Sequence, residues 1–365
     1  MAVHIHSLSV KTFKSLYDLR LPHFNDINII TGDNDSGKTS LLEAIEFFKE
    51  PRDFSAILLL AGKRRNIFSF TNVPLYVSFL SLFNQGDKEA IKRIAIEANF
   101  GHDIAKLEIE GQVNRLLADE KLIADFLNKN KLNIPSEINA FEGKVSFSNN
   151  NEKRVSGFSI LEPGLTERLQ LPKTRFQNIH YLPPFAHLRG SSFNHIIRNE
   201  NYKKICLKLL SHFDSGIEDL LLLQNEFSIF STEYIQHRTL GKMPLSTYGD
   251  GIKKVISVAD ALIGAKDGIL LIDEIETAVH AKHFDDFLTF IVEAVRALNI
   301  QLFITTHSIE AIDAILKTQE YDKQDQDDRL SVITLKREKH KTFSRTLSGR
   351  RVYENREVFD FEVRV

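Results

Sequence analysis

The chain is poor in the residues that staple, anchor or export a protein. It has one cysteine, Cys206, which excludes an internal disulfide framework and any cysteine-based zinc finger. Its longest purely apolar run is Ala56–Ala61, whereas a bilayer span needs roughly 20 such residues, so no transmembrane helix is expected. The opening Met-Ala-Val-His-Ile-His-Ser lacks the basic and apolar regions of a secretory signal. Together these absences lead us to expect a cytoplasmic protein without a membrane partner. Charge of one sign is also missing: 47 Lys+Arg face 49 Asp+Glu, so no global basic field advertises nucleic acid. Thirteen histidines are present, yet His4/His6 and His280/His283 have no matching carboxylate constellation, and no zinc site is expected. There is no repeat of 20–50 residues and no sustained heptad.

What remains is ordinary globular material, 42% hydrophobic and 26% charged over 365 residues, enough for a sizeable core. The alternating segments Ile5–Phe13 and Leu16–Leu21 read as strands, and the short apolar run Ile27–Ile30 as a third, ending at Gly32. Leu41, Leu42, Ile45, Phe47 and Phe48 form a helical face closed by Pro51. Residues 52–95 read as helical. Beyond them, β-like alternation at Lys106–Glu110 mixes with a charged helical stretch near Leu117–Leu132, and Asn149–Arg154 reads as a polar turn or loop. Ile179–Leu182 is a strand stopped by Pro183-Pro184, and the leucines of Asn201–Phe227 predict one or two helices.

The last third is more regular. We expect a helix over Gly251–Ile263, a buried strand over Gly268–Ile272, a helix over His283–Leu298, a strand over Gln301–Thr305 and a helix from Ile309. After the polar linker Thr318–Asp328, the alternating segments Leu330–Leu335 and Val358–Val363 close the chain. Alternation of strands with helices implies a largely parallel sheet covered on both faces.

Gly32-Asp33-Asn34-Asp35-Ser36-Gly37-Lys38-Thr39 satisfies G-x-x-x-x-G-K-[ST] between a strand and a helix. Glycines let backbone N–H groups wrap phosphates, and the helix that follows presents its positive end to them. Lys38 would reach the β- and γ-phosphates of ATP, Thr39 would ligate Mg²⁺, and Ser40 could add a hydrogen bond. The bland alternative is a strand–turn–helix with an exposed lysine, but the required context is present on both sides.

Gly268–Ile272 runs into Asp273-Glu274, two carboxylates at a strand end, where α/β sheets bind ligands. By itself this is better read as an acidic loop. Beside a phosphate loop, Asp273 becomes a Mg²⁺ ligand and Glu274 the group that polarises an attacking water. His307 follows the strand Leu302–Thr306, and a neutral or protonated imidazole there could answer to a γ-phosphate. Ser246-Thr247-Tyr248-Gly249-Asp250-Gly251 stands just before a helix; it is a glycine turn and also a second phosphate-binding device. Two such devices on one chain suggest that each nucleotide is clamped between two copies.

In this order the four segments resemble the ATP-binding-cassette (ABC) heads of the SMC and OLD (overcoming lysogenization defect) kind. The resemblance makes Gly32–Thr39 the Walker A motif, Ser246–Gly251 the signature, Ile269–Glu274 the Walker B motif with its catalytic glutamate, and His307 the switch histidine. Val10-Lys11-Thr12-Phe13-Lys14-Ser15 looks like the start of such heads, which puts Lys14 near the nucleotide. Asp273–His280 resembles the D-E-x-E-x-G-L-H stretch of the OLD-like branch, with Ala278-Val279 in place of Gly-Leu. Thr247 and Tyr248 replace the usual serine and first glycine of the signature, with Ser246 next door. Gln85 is the best candidate for the glutamine loop. The 58 residues after His307 are too few for the nuclease domain of OLD proteins, and the roughly 200 residues between Walker A and signature hold no coiled coil.

The resemblance therefore implies a stand-alone head of ABC-type P-loop fold: a mixed, largely parallel sheet, an antiparallel β subdomain and a helical lobe carrying the signature. Residues 1–95 and 241–365 would form the ATPase lobe, with 96–240 inserted. Nucleotide contacts are expected from Lys14, Gly32, Asn34, Asp35, Ser36, Gly37, Lys38, Thr39 and Ser40, and in trans from Ser246, Thr247 and Gly249. Glu274, His307 and Lys38 would serve hydrolysis, and Thr39 and Asp273 would hold Mg²⁺. A head-to-tail dimer or higher oligomer is implied, switching a separate effector protein, such as a nuclease, in antiphage defence. The alternatives are a DNA-repair or DNA-remodelling ATPase, with DNA as a partner, and a low-turnover ATP-dependent scaffold that sequesters a toxin. The basic runs Lys63–Arg65 and Lys336–Arg351 read as solvated surface before they read as a groove for DNA phosphates.

Overall fold

The computed structural model describes residues 4–62, 73–86, 89–117, 137–150, 152–162, 175–188, 193–224, 231–319, 321, 328–338, 341–359 and 361–364. The chain opens with the hairpin β1 (Ser7–Phe13) and β2 (Leu16–Leu21), then β3 (Ile27–Gly32) and helix α1 (Lys38–Glu46). Helices α2 (Phe54–Gly62) and α3 (Leu75–Leu80) precede four long strands: β4 (Ile91–Phe100), β5 (Asp103–Leu117), β6 (Glu137–Asn149) and β7 (Glu152–Leu161). Next come β8 (Ile179–Leu182), α4 (Asn194–Ile197), α5 (Glu200–Phe213), β9 (Ile217–Gln224), β10 (Ser231–His237) and β11 (Gly241–Pro244). The remainder is α6 (Asp250–Gly264), β12 (Ile269–Ile272), α7 (Phe284–Ala297), β13 (Gln301–Thr305), α8 (Ile309–Lys317), β14 (Leu330–Glu338), β15 (Lys341–Ser348) and α9 (Gly349–Phe359).

The central sheet has the order β15-β14-β3-β13-β12-β8, parallel from β14 to β8 with β15 antiparallel at one edge. It is buried on both faces, which is why its strands read as apolar runs rather than as alternation. Successive residues still divide between two cores. Ile30, Ile269, Leu271, Phe303, Ile333 and Leu335 join the cluster beneath the β1–β2 hairpin and α1. Ile29, Leu270, Ile272, Leu302, Ile304 and Val332 join the one beneath α6, α7 and α8. A second, wholly antiparallel sheet has the order β2-β1-β4-β5-β6-β7, and β9–β11 make a small third one. This is the mixed α/β architecture with an antiparallel subdomain that the motifs led us to expect. Much of the abundant phenylalanine goes into one place: Phe54, Phe79, Phe83, Phe141 and Phe158 pack with ring centroids 4.5–6.2 Å apart.

Several expectations are corrected. Residues 91–95 are strand, not helix, because β4 pairs with β1 and carries the first sheet across residue 95. The polar turn or loop expected over Asn149–Arg154 is a turn at Asn150, φ +48°, but a tight one, with β6 ending at Asn149 and β7 already running from Glu152. The leucine-rich segment 201–227 is helix only as far as Phe213; Ile217–Gln224 is a strand paired antiparallel with β10. Residues 358–363 do not form a strand: the helix α9 runs to Phe359 and 361–364 have no regular structure. Residues 118–132 of the expected charged helix, and the basic run Lys63–Arg65, lie outside the described residues. Among the described residues no helix is long and apolar enough to cross a membrane.

Candidate nucleotide site

The loop between β3 and α1 turns where only glycine is comfortable. Gly32 has φ +132°, and a Cβ there would lie 2.1 Å from the Leu335 carbonyl oxygen on β14. Gly37, with φ +102°, would place one 2.6 Å from the Leu16 side chain. Strands on either side therefore press the backbone into a cradle, and α1 starts at its rim with first-turn N–H groups that have no partner within the helix. Lys38 lies under the cradle, 7% exposed, and its Nζ donates to the carbonyl oxygens of Gly32 and Asp33, both at 2.8 Å. Burial holds this lysine below its usual pKa, against the opposing pull of Asp273, Glu274, Asp33 and Glu276. The Ser36 hydroxyl is buried with no hydrogen-bond partner. A closed loop of donors, an incompletely solvated ammonium and an orphan hydroxyl make a fit for an anion of phosphate geometry.

The carboxylates arrive from the neighbouring strands. Parallel pairing of β12 with β13 and of β13 with β3 sets Asp273 beside the loop. Its Oδ1 accepts from the hydroxyls of Thr305 (2.6 Å) and Thr39 (3.3 Å), and its Oδ2 from Tyr181 (3.0 Å). Three hydroxyls fix one carboxylate, and the Thr39–Asp273 pair is the oxygen set a Mg²⁺ ion would take. Burial, and then the nearby Asp273, push the Tyr181 phenol upward, so it stays a donor. Glu274 is half-buried and held at φ +49°, with its backbone N–H donating to Thr305 Oγ1 at 2.8 Å. Such a left-handed backbone costs a non-glycine residue roughly 1–2 kcal/mol, and here it turns the side chain into the cleft. His307, on the turn after β13, is fixed through its backbone N–H, which donates to Glu276 Oε1 at 2.7 Å.

These groups meet in one cleft of about 820 Å³. Lys14, Asn34, Asp35, Gly37, Lys38, Thr39, Ser40, Asp273, Glu274 and His307 all line it, with Gly32 and Ser36 buried below. Gln85 lines it too, its amide donating to the carbonyls of Leu80 and Phe83. Lys14 reaches the cleft wall with its ammonium tied to Glu43 at 2.7 Å. Ser246, Thr247 and Gly249 do not line it; they stand exposed at the 3-10 turn and first residues leading into α6. Sequence reasoning missed Thr305, Tyr181 and Arg337, which also belong to this site. Arg337 stands in the basic run that reads as solvated surface, whereas Thr305 and Tyr181 signal only a position at or near a strand end, and the pairing that gives it meaning is not local.

The family described as "AAA domain, putative AbiEii toxin, Type IV TA system" matches residues 27–313. An ATP/GTP phosphatase of Helicobacter pylori is 23% identical, over 97% of this chain and 99% of its own. In structure the chain is similar to an Smc head bound to the C-terminal winged-helix domain of ScpA, with TM-score 0.50 and 13% identity over 94% of this chain and 98% of that one. It is also similar to an Smc head with an extended coiled coil bound to the C-terminal domain of ScpA from Pyrococcus furiosus, with TM-score 0.51 and 11% identity over 98% and 100%. At such identity the structural likeness speaks to the fold.

Proposed function

The chain belongs to that AAA-domain family and is an ATPase of the ABC type; from this premise we propose that it hydrolyses ATP in a sandwich formed by two copies of itself. The single observation that carries the reading is the separation of the two phosphate-binding devices. The cleft is complete on the side of Lys38, Thr39, Asp273 and Glu274, while Ser246, Thr247 and Gly249 stand exposed outside it. A second copy placed head to tail would apply that turn, and the N-terminus of α6, to the open side of the bound phosphates.

In this reading the loop N–H groups and Lys38 hold the β- and γ-phosphates, and Thr39 and Asp273 would hold Mg²⁺. The ion would supply charge neutralisation at the phosphoryl oxygens. Glu274 takes the proton of the attacking water, and His307 positions itself by the γ-phosphate. Tyr181 and Thr305, which both donate to Asp273, keep its carboxylate aimed. Closing and opening of the sandwich is the mechanical output. The family description names a putative toxin of a toxin–antitoxin system, and we read the output as control of a separate effector protein in antiphage defence.

The test is hydrolysis and assembly together. Glu274→Gln should lower turnover by about 100-fold or more while ATP and Mg²⁺ now hold a dimer detectable by light scattering. Lys38→Ala should bind no ATP and stay monomeric. Wild-type turnover in Lys38→Ala would sink the proposal.

A further inference from the structure

The basic run from Lys336 to Arg351 reads in the sequence as solvated surface, and most of it is held by protein groups. Lys336 pairs with Glu338, and Lys341 with Asp18. Arg337 is different. It is exposed, it lines the nucleotide cleft, and among the described residues no hydrogen bond or ion pair engages its guanidinium.

Its position is dictated by register. Leu335 pairs with Gly32, so β14 runs parallel to β3 and reaches the same edge of the sheet as the phosphate loop. Ile333 and Leu335 face the core beneath β1–β2, and the period of two puts Arg337 on that face, one step past the core. Its cross-strand partner is Thr342, whose hydroxyl donates to the Ser15 carbonyl at 3.3 Å, next to Lys14. The sheet order then separates two flanks. Asp273, Glu274 and His307 come from β12 and β13 on one side of β3, and Arg337 from β14 on the other.

A nucleoside triphosphate is long enough to touch both flanks. With its γ-phosphate between Lys38 and Glu274 and its β-phosphate in the loop, the nucleoside half is what extends toward β14. We propose that Arg337 holds the nucleoside of the bound nucleotide, contacting the base. The inference rests on the nucleotide reading of the cleft. A flat guanidinium can lie against any purine face, and its five donors complement the N7/O6 acceptor edge of guanine better than the mixed edge of adenine. Arg337 thus admits GTP alongside ATP and discriminates in favour of the guanine base.

Calorimetric titration of the full chain tests this, in a Glu274→Gln background that stops turnover, with ATP, GTP and inorganic tripolyphosphate, each with Mg²⁺. Arg337→Ala should weaken ATP about tenfold and GTP more, leaving tripolyphosphate unchanged. Arg337→Lys should restore little, because an ammonium lacks the plane. Equal loss of tripolyphosphate would mean a phosphate contact and overturn the inference, as would unchanged ATP and GTP affinity. If Lys38→Ala abolishes nucleotide uptake while Arg337→Ala leaves it untouched, the inference falls and the site stands. If the parent protein takes up neither nucleotide nor tripolyphosphate, the site itself falls.

Discussion

Replacing Lys254 with methionine should make the protein more stable, by an amount that shrinks as pH rises. Lys254 sits on α6, fully buried, and its Nζ makes one long bond, 3.4 Å to the Pro184 carbonyl. Burial pulls its pKa from 10.5 down to about 8, although Glu276, Asp273 and Glu274 attract the charge; His187, lowered first by its own burial, is near enough to be pushed down by it too. In the unfolded chain the lysine titrates near ~10.4. Between those values the unfolded state holds a proton that the folded state has lost, so this lysine's contribution grows more favourable as pH rises from about 8 to about 10.4. Below pH 8 the whole penalty is present. At ~1.36 kcal/mol per unit, the shift corresponds to about 3 kcal/mol, less about 1 kcal/mol for the lost hydrogen bond. Urea unfolding of wild type and Lys254→Met at pH 7, 8, 9 and 10, without nucleotide or Mg²⁺, reads the difference directly. The variant should lead by about 2–3 kcal/mol at pH 7, with the gap closing toward pH 10. A gap that does not change with pH, or a less stable variant at pH 7, would refute the argument.

Gly32→Ala should abolish ATP uptake and lower the melting temperature, because its Cβ would collide with the Leu335 carbonyl and break β14 from β3; an unaltered melt would contradict the cradle. Ala278, exposed and held at φ +68°, stands where the resembling heads carry glycine, and Ala278→Gly should stabilise by roughly 0.5–1 kcal/mol in urea unfolding. Phe79→Ala removes a ring that meets four other phenylalanines and should cost about 3–5 kcal/mol, read by chemical unfolding; a cost under about 1 kcal/mol would contradict the packing.

The phosphate loop and the acidic strand end were legible because both are local. A strand buried on two faces must be apolar, and a loop pressed between backbones must carry glycine, so Ile27–Gly32 and Ile269–Ile272 announce themselves. Ile217–Gln224 did not, since four successive leucines satisfy a helical face as readily as a strand. The antiparallel partner β10, in the following segment, decides it. Tyr181 and Thr305 were illegible for a related reason. Each gains its role from a neighbour in the sheet, Asp273, about 90 and 30 residues away along the chain. Nothing in Ile179–Leu182 distinguishes a tyrosine that packs from one that braces a metal ligand.

The insertion of β3 between β13 and β14 has a consequence for the growing chain on the ribosome. The strand that carries the phosphate loop is synthesised at residue 27, and the one that walls its first glycine begins only at residue 330. At ~5–20 residues per second the interval is roughly 15–60 s. For most of that time a strand destined to be wholly buried has neither of its neighbours, because β13 too is made only at residues 301–305. ATP can therefore reward only late, nearly complete chains, while earlier ones depend on chaperones to keep Ile27–Gly32 from pairing elsewhere.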